Sequence, residues 1–315
     1  MKWNIYSKLW MIFFVLMGTA CTNQVEDAIP LSDQPIEFSV QSDWKEIPNT
    51  RSNAGRDHFD KGDTIQIFGF HKSSSGKVQK FMYRLKDWNR GQKVVLDDTG
   101  WNYSPKRFWP KEGKLDFYAG YPEYSVWYNN TKNMMTYKQD VNPLQLDLLW
   151  GVSPDHDCAK DSIDSIDSIK NVVINKVEIT MKHALAKVNI KFAPSLGNIT
   201  QAVVSAYKTG YFEKNNTDDG IPHWIVEDTS DIQEAIFSPN KDDTKIGDAT
   251  VFILPYKITG LILTTDDGTE INASKKIQEY TFEAGKVYNL TISKGVQKKN
   301  TNSRSIAMSV RCVSE

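Results

Sequence analysis

Short runs of alternating apolar and polar residues dominate the chain from residue 36 onward. Ile36-Glu37-Phe38-Ser39-Val40 alternates cleanly. Thr64-Ile65-Gln66-Ile67-Phe68-Gly69-Phe70 does so after the turn Lys61-Gly62-Asp63. Comparable segments are Lys77 to Leu85, Lys93 to Leu96, Lys114 to Ala119, Val172 to Thr180, Ala186 to Phe192 and Ala202 to Tyr207. Ala249 to Leu254, Gly260 to Thr265, Glu279 to Glu283 and Val287 to Ile292 complete the series. Successive strand side chains point to opposite faces, so a period of two predicts strands with one buried and one wet face. Turn signals such as Asp97-Asp98-Thr99-Gly100, Asp218-Asp219-Gly220 and Asp266-Asp267-Gly268 separate them. No long amphipathic helix is evident, and Asp231 to Phe237 reads at most as a turn of helix. The pattern predicts an all-β protein with strands at the spacing of β-sandwiches.

The first twenty residues break the pattern. Lys2 and Lys8 precede nine unbroken apolar residues, Leu9 to Met17, and the small residues Gly18, Thr19 and Ala20 lead to Cys21. This is the layout of a secretory signal, too short to span a bilayer as a helix. A cysteine closing the small-residue stretch predicts lipidation at Cys21, although Gly18 stands where leucine is usual. The alternative is an ordinary signal peptide with a chance cysteine. Residues 21–34 then read as a lipidated N-terminus and polar linker that tether the body to a membrane.

Of 315 residues, 38 are Lys or Arg and 39 Asp or Glu, a formal charge of −1. Removing residues 1–20 leaves 36 bases against 39 acids, −3. Neither balance suits a nucleic-acid binder. Three cysteines are too few for a disulfide scaffold, but outside the cytoplasm Cys158 and Cys312 are available to pair. Six of the seven tryptophans after residue 20 fall at or before Trp150, and only Trp224 lies beyond. That asymmetry, with the Asp/Ser-rich stretch 153–170, predicts an N-terminal domain at 35–175 and a C-terminal domain at 176–296. Residues 297–315 form a tail. The triple Asp-Ser-Ile repeat at Asp161 to Ile169 spaces its apolar residues by three and reads as a loop.

Catalytic chemistry finds little support. The five histidines are scattered, with no zinc-hydrolase spacing. Asp155-His156-Asp157-Cys158 holds metal-capable residues, but neighbours on a strand point apart. No nucleophile elbow, phosphate loop or dinucleotide fingerprint occurs. No cofactor and no enzymatic activity are expected. His183 enters an apolar strand and reads as a satisfied structural residue. Trp101-Asn102-Tyr103 and Phe108-Trp109-Pro110 read as core residues at a strand corner. Exposed, they would instead offer a stacking surface for sugars. A hydrolase would need a cleft with convergent carboxylates.

Several short motifs carry a resemblance. Asn49-Thr50-Arg51-Ser52, Phe59, Lys61-Gly62-Asp63 and Ile67-Phe68-Gly69-Phe70 come first. Phe81-Met82-Tyr83, Trp101 to Pro105, Phe108-Trp109-Pro110 and Leu115 to Ala119 follow. Asp147 to Gly151, Lys182 to Lys187 and Glu283 to Leu290 close the set. In order and spacing the sequence resembles the Bacteroides-type fimbrillins, the type V pilus subunits of Gram-negative anaerobes. The resemblance implies two transthyretin-like β-sandwich domains and a pilus role on the cell surface. It implies export as an outer-membrane lipoprotein and cutting by an Arg-specific protease, with Arg51 the cleavage candidate and Arg56 the alternative. Cutting would free Ile36 to Val40, leave three pockets, and let another subunit add a strand. Partners would be other pilus subunits, the membrane through the lipid, and a host or bacterial receptor. Ile306, Met308, Val310 and Cys312 alternate, so the tail reads as an intermolecular donor strand or an edge folded back. Folding back would point to a tip, an anchor or a non-polymerising protein. Ser162, Ser165 and Ser168 match the Asp-Ser-apolar O-glycosylation pattern of such bacteria.

Overall fold

The computed structural model describes residues 29–43, 58–138, 147–161, 165–167, 171–173, 176–217, 219–226, 229, 231–294 and 308–314. Among them no α-helix exceeds four residues. The N-terminal half contains β1 (Leu31–Pro35), β2 (Glu37–Ser42), β3 (Thr64–Lys72), β4 (Val78–Met82), β5 (Gln92–Asp97) and β6 (Gly100–Asn102). It continues with β7 (Phe108–Pro110), β8 (Lys114–Tyr121), β9 (Val126–Asn129), β10 (Met134–Lys138) and β11 (Leu149–Asp157). Next come β12 (Ser165–Asp167), β13 (Asn171–Val173), β14 (Lys176–His183), β15 (Ala186–Phe192), β16 (Ile199–Tyr207) and β17 (Thr209–Glu213). The remainder are β18 (Ile232–Phe237), β19 (Ala249–Ile253), β20 (Ile258–Thr265), β21 (Glu270–Asn272), β22 (Val287–Lys294) and β23 (Met308–Ser314). The fold is all-β.

The largest sheet runs β4-β3-β5-β6-β2-β14-β11-β8. Its last strand, β8, pairs back on β3, with Gln66 opposite Gly120 and Lys72 opposite Lys114. Hydrogen bonding therefore runs right round a ring, with β4 attached outside it. Closure removes the exposed edges that an open sheet would offer. The ring encloses Ile65, Ile67, Leu115, Phe117, Trp109, Val177, Ile179 and their neighbours. Beyond residue 184, two four-stranded sheets, β19-β15-β22-β23 and β18-β16-β20-β21, supply the residues of a second core. It is made of smaller aliphatics such as Val188, Ile190, Val204, Val251, Leu261 and Leu290. The first core holds Trp101 and Trp109, and the second holds no tryptophan among the described residues.

A third apolar cluster joins the halves. Phe68, Phe70, Tyr118, Tyr128 and Trp150 meet Phe212, Phe252 and Leu254. A small sheet, β17-β10-β9, crosses the same junction, and β10 and β17 pair from Met134↔Glu213 to Lys138↔Thr209. This cluster explains why β3 is buried on both faces instead of keeping one wet face. Ile65 and Ile67 face the ring interior, while Phe68 and Phe70 face the junction.

Four expectations need correction. The strand at 176–183 pairs with β2 and β11, so it belongs to the N-terminal ring. The change of sheet comes at Ala184-Leu185, later than the expected boundary between 175 and 176. Asp231 to Phe237 contains a strand, β18, with six register pairs to β16. Its isoleucines point outward and its Gln233 and Ala235 inward, an inverted polarity that hides the period of two. Glu279 to Glu283 forms no strand; Phe282 instead plugs the second core from a loop. The stretch expected as one loop at 153–170 carries the end of β11, a helical turn at Cys158–Asp161, and β12 paired with β13.

Candidate assembly site

The strand expected to be releasable is a closing stave of the ring. β2 runs parallel to β14 from Glu37↔Lys176 to Ser42↔Met181 and meets β6 at Phe38↔Trp101. Ile36, Phe38 and Val40 are buried in the N-terminal core, as the alternation requires. Phe38 sits edge-on to Phe117 with centroids 5.4 Å apart, and 5.8 Å from Tyr103. The Trp101 indole donates to Val40 O at 3.0 Å, and the Tyr103 hydroxyl donates to Ile36 O at 2.7 Å. Ile36 N donates to Arg107 O at 2.8 Å. Burial pushes the Tyr103 hydroxyl up to about 12. Without β2, the ring would keep a slot between β6 and β14, walled by two unpaired edges and floored by three apolar pockets. Such a slot takes a strand by main-chain bonds and reads its alternate side chains.

The aromatic stretch belongs to this slot. Trp101, Tyr103 and Trp109 are buried, and only Phe108 is partly exposed. The sugar-stacking reading of Trp101 to Trp109 is therefore overturned, because the rings are core. His156 is also structural: its ring packs on Trp109 and Phe117, and Nδ1 lies 3.1 Å from Asp161. Among the described residues no three His, Cys, Asp or Glu side chains converge as metal ligands.

The tail folds back on its own chain. β23 pairs antiparallel with β22, from Ser314↔Tyr288 to Met308↔Lys294, and forms an edge of the C-terminal half. Of the two readings of the tail, this pairing is the edge folded back. Cys312 thereby stands opposite Leu290, a residue of the second core. Cys158 is a free thiol buried in the N-terminal core, its pKa pushed up to about 12 by burial and by Asp157 and Asp161. Cys158 lies in the N-terminal core, and Cys312 lies on β23 of the C-terminal half. Cys21, Arg51, Arg56, Ser162 and Ser168 lie outside the described residues. Ser165 lies on β12.

His183, expected as a satisfied structural residue, has its partner in Asp147. Its Nδ1 lies 2.6 Å from Asp147 Oδ2. Burial works against its charge, but Asp147 and Asp43 outweigh it and raise its pKa. Lys187 is buried beside them, its Nζ without a hydrogen-bond partner and its pKa lowered by burial. The alternation around Ala186-Lys187-Val188 did mark a strand; the pairing to Asp147 needed the fold.

A model of a family described as fimbrillin-like matches residues 50–307. The chain belongs to the fimbrillin-like family. No curated protein gives a significant match in sequence. A candidate cell adhesion protein from Bacteroides uniformis is similar in structure, with 17% identity and a TM-score of 0.53. The match covers 90% of this chain and 98% of that one. A second, from Bacteroides ovatus, has 12% identity and a TM-score of 0.50 over 88% of this chain and 96% of that one. The fimbrial anchor protein Mfa2 of Porphyromonas gingivalis matches more loosely, with 10% identity and a TM-score of 0.39 over 89% and 96%. As a fimbrillin-like protein the chain is a structural protein of the fimbrial type and not an enzyme.

Proposed function

We propose that this fimbrillin-like protein is a lipid-anchored pilus subunit that accepts a partner's strand at the β2 slot. Export as a lipoprotein through Cys21 brings it to the outer membrane. Cleavage at Arg51, or at Arg56, then severs β2 from β3, and a strand of another subunit replaces it. The observation that carries this reading is the placement of β2. It closes the ring between β6 and β14, buries Phe38 and Val40 with Ile36 just ahead of it, and is followed by the arginines before β3 begins. The tail pairing with β22 favours an acceptor at a tip or anchor position over a repeating stalk subunit.

Two measurements on protein sheared from cells test it: N-terminal sequencing with intact mass, and electrophoresis without boiling. A new N-terminus after Arg51 or Arg56, in an SDS-resistant complex that is lost in Arg51→Ala/Arg56→Ala, is expected. An acylated Cys21 start found only as monomer would sink the strand-exchange reading.

A further inference from the structure

Two loops of the N-terminal half come together beside the junction cluster. One spans Tyr83 to Gly91 between β4 and β5; the other spans Pro122 to Ser125 between β8 and β9. Gln66, fully buried, staples them together. Its amide donates to Val126 O at 2.6 Å, and its carbonyl accepts from Gly91 N at 3.3 Å. Tyr128 N donates to Asn89 O at 2.7 Å. The loops therefore form one firm platform. Three large apolar side chains stand out from it: Leu85 is 61% exposed, Trp88 48% and Tyr124 52%.

Both exposed rings are backed by cations. Lys80 Nζ lies 4.2 Å from the Trp88 centroid and donates to Trp88 O at 2.9 Å. The Arg84 and Arg90 guanidiniums lie 4.6 and 5.2 Å from the Tyr124 centroid. Glu123, nearly buried, ties Arg84 and Lys93 beneath. Tyr124 adopts φ +74°, a left-handed conformation that is strained for a bulky residue. Arg84 meets its hydroxyl, and Arg90 donates to its carbonyl at 2.6 Å. The fold thus holds a strained residue in order to present, not bury, its ring. Lys80, Arg84 and Arg90 lie against the rings, and Lys86 and Lys93 come from the same loop and the start of β5, against Asp87 and Glu123, in a chain of formal charge −1.

We propose that this platform binds an acidic polysaccharide built from uronic acids. Trp88 and Tyr124 stack on pyranose faces, and the surrounding bases attract the carboxylates. A protein partner would call for a contiguous apolar patch, whereas here each ring is bordered by charge. The proposal deepens the adhesion reading and rests on it for its biological setting. The binding itself is measured on the isolated chain, so its failure and that of strand exchange are distinguishable.

The test is surface plasmon resonance on immobilised polygalacturonate, hyaluronan and alginate, each beside its carboxyl-reduced form. Binding to at least one acidic polymer is expected, weakening as salt rises and absent from its reduced partner. Trp88→Ala and Tyr124→Gly should each weaken it tenfold or more. Glycine takes φ +74° without strain, so Tyr124→Gly keeps its fold, which a melting curve checks. No binding to any acidic polymer, equal binding to the reduced polymers, or wild-type binding by both folded variants would overturn the proposal.

Discussion

β2 and β23 obey the same hydrogen-bond rules from opposite positions. β2 has a neighbour on each edge and, with Ile36 just ahead of it, Phe38 and Val40 in a closed core. β23 has one neighbour, β22, and lies at the rim of an open sheet. An edge strand leaves by breaking one ladder. A stave of a ring leaves only when its ladder to β14, its bridge to β6 and its pockets are given up together, and while tethered to β3 it returns at once. The comparison explains why a strand-exchange device of this shape needs a cut chain. The largest expected contrast is in amide exchange. Amides of β23 should exchange through local release, and those of Phe38 to Gln41 only in near-global opening, at least about 100-fold more slowly. Equal protection of the two would break the comparison.

Phe38→Ala sharpens it next. Removing a buried phenylalanine from a core leaves a cavity and costs about 3–5 kcal/mol. Urea unfolding should show that loss. A loss below about 1 kcal/mol would mean that the slot is shaped without β2.

How much of this was legible beforehand follows from where the information lay. Alternation marked β2, β15 and β22, whose apolar residues lie on an inward face, and also β3, although its second face is buried at the junction. It missed β18, whose isoleucines face outward, and it promoted Glu279 to Glu283, where one aromatic plugs a core from a loop. The pockets for Ile36, Phe38 and Val40 were readable from spacing alone. Their walls were not, since Trp101 and Tyr103 reach β2 only because β6 pairs there. The platform of Trp88 and Tyr124 was invisible. Nothing local joins two loops held by a glutamine from β3, and the denser aromatic run at Trp101 to Trp109 is core.

Tyr103→Phe probes the polar side of the same slot. The hydroxyl donates to Ile36 O and accepts from Arg107 N at 3.3 Å, so its removal leaves two groups unpaired. A loss of about 2 kcal/mol is expected from thermal or urea unfolding. An unchanged midpoint would assign β2 retention to its apolar pockets alone.

The smallest effect concerns the far end of β2, where Asp43 N donates to Met181 O at 3.0 Å beside His183. The His183 pKa is raised above 6.5 in the folded chain, burial opposing and Asp147 and Asp43 prevailing. A group raised by folding stabilises fully below its unfolded pKa and loses that stabilisation as pH rises through the folded value. Lys187 works in the opposite sense. Burial lowers its pKa, so folding strengthens as pH climbs from that lowered value toward 10.5. Stability of the wild type should therefore dip above pH 6.5 and recover in alkali. His183→Gln should remove the fall and keep the recovery, at a loss of about 1 kcal/mol below pH 6 where the charge-assisted bond is complete. A variant that retained the fall would place the titrating group elsewhere, and would leave β2 held by its ladders and pockets without help from the junction.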